Sequence, residues 1–330
     1  MKKMLLLLGI IILISGCSLS QGPTVENYRT GNQGITAEFT NNLPPTTIRE
    51  EQEVLISLDV WNRGAENVEV GHIELNYDGF YFSKVQGPNI LRETNIEVMG
   101  KGPGFSTGGR NRISLGALRA NQITSQIQNP STRISASICY PYKTVFSQEV
   151  CMDRDILETQ DNPVCRNTPR RTYSGQGAPI VVSSLETEMV PVARYSQDSF
   201  LLRPEFTITV RNAGRGNPYS LPFALTTIEN ACTNPNSISG ININEIEVIG
   251  NIANLRLTCD NNNIVKLVGG EGKITCRIDN EGSLNTLGPV PPGFNPNQIF
   301  EVANNYVEIL NIELEYLYKD YVSKEVSIRR

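Results

Sequence analysis

From Val54 to Val60 every second residue is aliphatic. Val54, Ile56, Leu58 and Val60 fall on one side of an extended chain, and Ser57 and Asp59 fall on the other. The same period returns at Phe206, Ile208 and Val210, which alternate with Glu205, Thr207, Thr209 and Arg211. Successive side chains of a strand point to opposite faces, so such rows bury one face of a sheet and leave the other wet. Between them lie turn-forming clusters such as Asn41-Asn42-Leu43-Pro44-Pro45 and Gly102-Pro103-Gly104. No long stretch repeats its apolar residues at helical spacing. Many short alternating segments at close intervals predict an all-β chain built as sandwiches or barrels.

The chain also repeats itself. Tyr140-Pro141-Tyr142-Lys143, with Ser147 and Glu149-Val150 following, returns as Tyr316-Leu317-Tyr318-Lys319, with Ser323 and Glu325-Val326 at the same spacing. Each copy reads as a strand, a tight turn and a return strand that closes its domain. Earlier in each half an alternating strand runs into Val60-Trp61-Asn62-Arg63-Gly64 or Val210-Arg211-Asn212-Ala213-Gly214. Asn and Gly tolerate the positive φ that a turn leaving such a strand commonly needs. The tyrosine matches are offset by 176 residues and the Asn-Gly matches by 150, so the second copy carries about 26 extra residues between the two landmarks. These observations predict two tandem β-sandwich domains, at 31–152 and 179–330, the second with an insertion near 230–258. A connector at 153–178, longer than an ordinary loop, joins them.

A strand entering Val-x-Asn-x-Gly, a Pro-Pro turn upstream in the first copy and a late Tyr-x-Tyr strand together resemble the CARDB-type immunoglobulin-like modules of archaeal and bacterial surfaces. The resemblance covers about a third of each half and implies immunoglobulin-like β-sandwiches used in adhesion, spacing or presentation. The domains here are longer than a simple sandwich and contain cysteines that the resemblance does not account for.

The N-terminus fixes the expected compartment. Lys2 and Lys3 precede an apolar run from Leu5 to Ile14 that is too short to span a bilayer. It ends Leu13-Ile14-Ser15-Gly16-Cys17, which resembles a lipoprotein signal. Residues 1–16 read as a signal peptide and 17–30 as a tether lipidated on Cys17. A single acyl chain holds a protein only marginally, so stable anchoring calls for a second chain. The expected location is extracytoplasmic and lipid-anchored to the cell membrane. Six cysteines then remain: Cys139, Cys151, Cys165, Cys232, Cys259 and Cys276. In an oxidising compartment they are disulfide candidates. With three in each half, full pairing requires a bridge between the halves. Cys151 and Cys165 bracket a polar stretch, and Cys259 and Cys276 flank a hairpin. Cys139 and Cys151 compete as a pair: their repeat counterparts are Glu315 and Ser327, as when a bridged pair is lost together.

Little in the chain points to chemistry. The net charge of −5 and the lack of any basic cluster argue against a nucleic-acid partner. His72, the only histidine, lies in an expected strand and reads as structural or surface rather than as part of a nucleophile pair. The Gly-rich stretch 102–109 lacks the lysine of a phosphate loop. No catalytic residue and no cofactor is expected. Asp153, Asp155, Glu158 and Asp161 are weak calcium candidates without EF-hand spacing. Asp260-Asn261-Asn262-Asn263 reads as a turn, and Trp61 as a packing residue. Tyr140 with Tyr142, and Tyr316 with Tyr318, each share a strand face. They pack in the core or, if exposed, form a ligand or partner face. The expectation is a non-enzymatic surface protein acting in adhesion, spacing or scaffolding of an envelope complex, with a protein or glycan partner. The alternatives are a carbohydrate-binding module, resting on the tyrosine rows and the Asn-rich loops, and a hydrolase with a carboxylate-based site.

Overall fold

The computed structural model describes residues 27–85, 91–93, 96–123, 129–153, 164–166, 170–196, 199–221, 228–233, 241–278 and 306–330, the side chains of 191–202 excepted. Their regular secondary structure is almost wholly β-strand, and all but one of the strand pairs are antiparallel. One sheet orders β1 (Ile35–Phe39), β3 (Glu53–Asn62), β7 (Arg110–Ala120) and β5 (Phe82–Lys84). Val54, Ile56, Leu58 and Val60 all lie on β3 and are buried, as their alternation predicts.

The remaining strands join in a 13-stranded sheet. Its spine is a pair of long strands, β8 (Ser131–Met152) and β17 (Tyr306–Arg329). On the first-half side β8 pairs with β4 (His72–Asn76), which pairs in turn with β6 (Arg92–Glu93). On the second-half side β17 pairs with β13 (Glu245–Ile252), and the path continues through β14 (Leu255–Cys259), β16 (Glu271–Ile278), β11 (Ser199–Asn212), β10 (Ile180–Ser196) and β9 (Arg171–Thr172). Three short strands attach beside this path: β2 (Thr47–Arg49) and β12 (Asn217–Tyr219) to β17, and β15 (Ile264–Lys266) to β13. A short helix, α1 (Ile228–Thr233), packs by Ile228, Ala231 and Cys232.

The tyrosine motifs do not form the expected hairpins. Each lies inside one uninterrupted strand, and the two strands pair with each other. β8 is antiparallel to β17 along all of its 22 residues, from Ser131 opposite Ser327 to Met152 opposite Tyr306. At about 3.4 Å per residue this ladder is roughly 70 Å long. Lys143-Thr144 carries no turn chemistry, and alternating burial continues through it. Pro141 and Leu317, repeat counterparts of each other, stand opposite one another at the centre. The repeat is therefore arranged about a pseudo-twofold axis through that pair. Beyond it each long strand leaves its own half and flanks the other. Pro141 lies just past the last β4 pair, His72 with Cys139, on the edge turned away from β17, so its missing N–H costs no ladder bond.

The register on the long strands of the two halves matches at one landmark. Glu247 opposes Glu315 as His72 opposes Cys139, its repeat counterpart. The extra residues of the second copy therefore lie between Gly214 and Glu247. β13 belongs to the common framework rather than to the insertion expected near 230–258. A single apolar cluster runs through both halves, from Ile35 and Val60 to Ile274 and Ile328.

All six remaining cysteines are bridged. Cys139 bonds Cys232, Cys151 bonds Cys165, and Cys259 bonds Cys276. The Cys139–Cys151 alternative is ruled out because both residues sit on one continuous strand and point to different partners. Cys139–Cys232 ties α1 to β8, and so ties the halves together.

Candidate functional site: the tyrosine ladder and the cleft beside it

Extended geometry places Tyr140 opposite Tyr318 and Tyr142 opposite Tyr316. The four rings close a circuit, with centroid distances of 5.6, 6.0, 6.2 and 6.3 Å. Such tilted and edge-to-face contacts each contribute about 0.5–1.5 kcal/mol beyond burial. None of the four is more than 4% exposed. The tyrosines thus form the centre of the core, not a ligand face, and the carbohydrate-binding alternative loses its basis. Burial holds all four phenols above the ordinary tyrosine range.

Each hydroxyl is used. Tyr140 Oη accepts the Ile35 N–H at 2.9 Å. Tyr316 Oη shares a hydrogen bond with Thr144 Oγ1 at 3.1 Å. Tyr142 Oη accepts the Glu66 N–H at 3.2 Å, and Tyr318 Oη accepts the Gly216 N–H at 2.8 Å. The last two bonds explain the Asn-x-Gly motifs. Asn62 Oδ1 accepts the Gly64 N–H and its Nδ2 donates to the Glu66 carbonyl. Asn212 does the same with Gly214 and Gly216. The asparagine folds the loop and the tyrosine of the long strand locks it.

The glycine is not needed for positive φ, contrary to expectation: neither Gly64 nor Gly214, nor either asparagine, occupies the left-handed region. It is needed for space. A Cβ on Gly64 would collide with the Tyr142 hydroxyl, and one on Gly214 with the Tyr318 hydroxyl.

The Tyr-x-Tyr-Lys lysines diverge. Lys143 meets Glu313 at 3.6 Å on the surface. Lys319 is buried and its Nζ donates to the Cys232 carbonyl at 2.6 Å. His72 is buried as well, and neither ring nitrogen has a hydrogen-bond partner among the described residues; burial lowers its pKa. Two guanidinium groups approach the Trp61 ring, Arg110 at 4.8 Å and Arg63 at 5.8 Å from its centroid. Glu315 is held above the ordinary carboxylate range by burial and then by Glu247 and Glu313. It shares a depression of about 200 Å³ with Glu66, whose carboxylate is committed to Arg29 at 2.6 Å. Asp153 is buried. Asp155, Glu158, Asp161 and Cys17 lie outside the described residues. Asp260-Asn261-Asn262-Asn263 turns between β14 and β15, with Asn261, Asn262 and Asn263 at positive φ. Among the described residues no group of three or more metal-ligating side chains converges, and no helix is long and apolar enough to cross a membrane.

A cleft of about 1,010 Å³ lies at the junction of the halves. One wall is the chain from Gly31 through β1 to Glu38, and the other is β17 at Asp320–Ser323. Trp61 and Arg63 from the first Asn-Gly loop and Gly214 and Arg215 from the second close one end. Tyr321 is 53% exposed there. Sequence reasoning missed this site because its walls come together only through the β8–β17 pairing. The available signal was that Tyr321 has the opposite strand parity to the buried Tyr316 and Tyr318.

No family model matches the chain, and no curated protein does. Among solved structures, a biofilm-associated protein B domain is similar at 10% identity over 88% of this chain and 73% of that one, with a TM-score of 0.14. A likeness at that score carries no argument.

Proposed function

We propose that the chain is a lipid-anchored, extracytoplasmic scaffold: two immunoglobulin-like sandwiches, at 31–152 and 179–330, held in one fixed geometry to present partner-binding surfaces. The observation that carries this reading is the β8–β17 ladder. An ordinary linker leaves two domains free to move. Here each half contributes its long strand to the other, the tyrosine circuit fills the seam, and Cys139–Cys232 spans it. So large an investment in relative orientation suits a spacer or a presenting subunit. Three disulfides fit an oxidising compartment, and the Cys17 signal supplies the anchor. Partners at the cell surface are a protein or a glycan, and catalysis forms no part of the reading.

The test is cross-linking on intact cells, then recovery of the tagged full chain from solubilised membranes. The expected result is a reproducible protein or glycan partner that is absent from a tagged control lipoprotein. Recovery of the chain alone, in repeated experiments, would sink the scaffold reading.

A further inference from the structure

We propose that the cleft between β1 and β17 binds an extended segment of a partner polypeptide, added as a β-strand along the open edge of β1. The inference rests on the cleft alone and does not depend on the anchor.

The two walls are unfinished strand edges. Among the described residues β1 pairs only with β3. Gly34 and Thr40 bond toward β3, so alternation turns Ala37 and Phe39 outward. Among the described residues neither has a main-chain partner on that edge, whereas the Ile35 N–H is taken by Tyr140. On β17, β12 pairs as far as Lys319 and β2 begins at Ser327. The Ser327 N–H donates away from β8 to the Thr46 carbonyl, so Tyr321, Ser323 and Glu325 present their main-chain groups to the same open edge. Asp320 Oδ1 caps the Tyr321 N–H at 2.8 Å, and among the described residues Ser323 and Glu325 have no such cap.

The other half shows what fills such a cleft. By strand register, Ile180 corresponds to Ile35 and Val182 to Ala37. By the repeat, Phe146 corresponds to Val322 and Glu149 to Glu325. There the cleft is plugged by the chain's own residues 171–176. The Tyr173 N–H donates to the Ser183 carbonyl at 2.9 Å. Gln176 donates to the Val182 carbonyl at 3.0 Å and accepts its N–H at 2.9 Å. Arg171 Nη1 donates to the Glu149 carbonyl at 3.3 Å, and the Tyr173 ring packs edge-on to Phe146 at 4.8 Å. In the first half the chain ahead of β1 goes elsewhere: Arg29 pairs with Glu66, and the Gly31 carbonyl accepts the Gly177 N–H. No described residue pairs with the edge at Ala37.

Charge then chooses the ligand. At the closed end Arg63 and Arg215 are exposed, and neither forms an ion pair with a carboxylate among the described residues. Glu38 stands exposed toward the other end, also without an ion pair there. A strand laid antiparallel to β1, as residues 171–172 lie on β10, would run toward the arginines. The fitting segment has a large apolar or aromatic side chain over Val322, followed toward its C-terminus by a carboxylate between Arg63 and Arg215. Main-chain bonds to an open edge supply affinity, and the side-chain pocket supplies selection.

The experiment pans a phage-displayed library of linear peptides against the purified full chain, then measures the enriched peptides as free synthetic probes. Enrichment of an aromatic followed by an acidic residue is expected. Binding is expected to weaken at least tenfold in Ala37→Pro, which removes an edge donor, and in Arg63→Glu/Arg215→Glu, which alters only exposed side chains. The charge variant keeps the test decisive if Ala37→Pro does not fold. No enrichment, or peptides that bind the charge variant as well as the parent, would overturn the proposal.

Discussion

Gly214→Ala tests whether the Asn-x-Gly loops are clamped by the core tyrosines. The new Cβ would overlap the Tyr318 hydroxyl and lie 2.8 Å from Pro179 Cβ and 3.1 Å from Tyr318 Cζ. Overpacking of this kind costs about 1–3 kcal/mol. Displacing the ring also weakens the bonds from the Gly216 N–H at 2.8 Å and to Asn212 Oδ1 at 3.3 Å, at about 1 kcal/mol each. A total near 3–4 kcal/mol is expected. Tyr318→Phe alone leaves the Gly216 N–H unpaired, for about 1–3 kcal/mol. In the double variant the oxygen that the alanine strikes is gone, so the combined loss should fall short of the sum by about 1–2 kcal/mol. Equilibrium urea unfolding with the disulfides intact measures all four corners of the cycle. The pair Gly64→Ala/Tyr142→Phe serves as a control. There the new Cβ also meets the carbonyls of Gly177 at 2.6 Å and Gln33 at 2.7 Å, which removing a hydroxyl does not relieve, so less rescue is expected. Additivity within about 0.5 kcal/mol at residue 214, or equal rescue at both loops, would refute the clamp.

Removing the bridge between the halves with Cys139→Ala/Cys232→Ala opens a 93-residue separation, and Cys151→Ala/Cys165→Ala opens one of 14. Chain entropy gives about 4.7 and about 3 kcal/mol, so the first pair should shift the denaturation midpoint more, and the reverse order would contradict the calculation. The four core phenols titrate above their unfolded range, so their contribution is complete below about pH 10 and is lost as pH rises beyond it, at about 1.4 kcal/mol per tyrosine by pH 11. Cooperative unfolding in that window, with phenolate absorbance appearing in the same step, is expected; phenolate forming in the folded state would argue against burial. His72 has the opposite sign: burial disfavours its cation, so stability falls as pH drops below about 6.5, and His72→Phe should flatten that limb in thermal melts. An unchanged slope would exclude His72 as its source. Cys17→Ser should abolish fatty-acid incorporation and move the protein out of the membrane fraction, and continued membrane recovery would end the lipid-anchor reading.

Period-two rows at 54–60 and 206–210 were enough to establish an all-β chain, because pleated backbone fixes which residues share a face. The tyrosine repeat and the offset between its landmarks exposed two related halves. The six cysteines limited the possible bridges and required one between halves if all paired. Each of these properties is local or is a count, and such information is carried by the chain itself.

The pairing of β8 with β17 is not local. Nothing near Tyr140 announces that its partner is Tyr318, since the same alternation serves a hairpin, a sandwich edge or a ladder to a distant strand. Only the folded chain selects the last, by burying four rings against each other and placing Pro141 where no donor is missed. That choice decides that the tyrosines are core, that glycine serves contact rather than φ, and that Cys139 meets Cys232. It also sets β1 across from β17 with both edges open. Burial and edge pairing are properties of which strands become neighbours, and strand neighbours far apart in sequence are settled by the whole core at once.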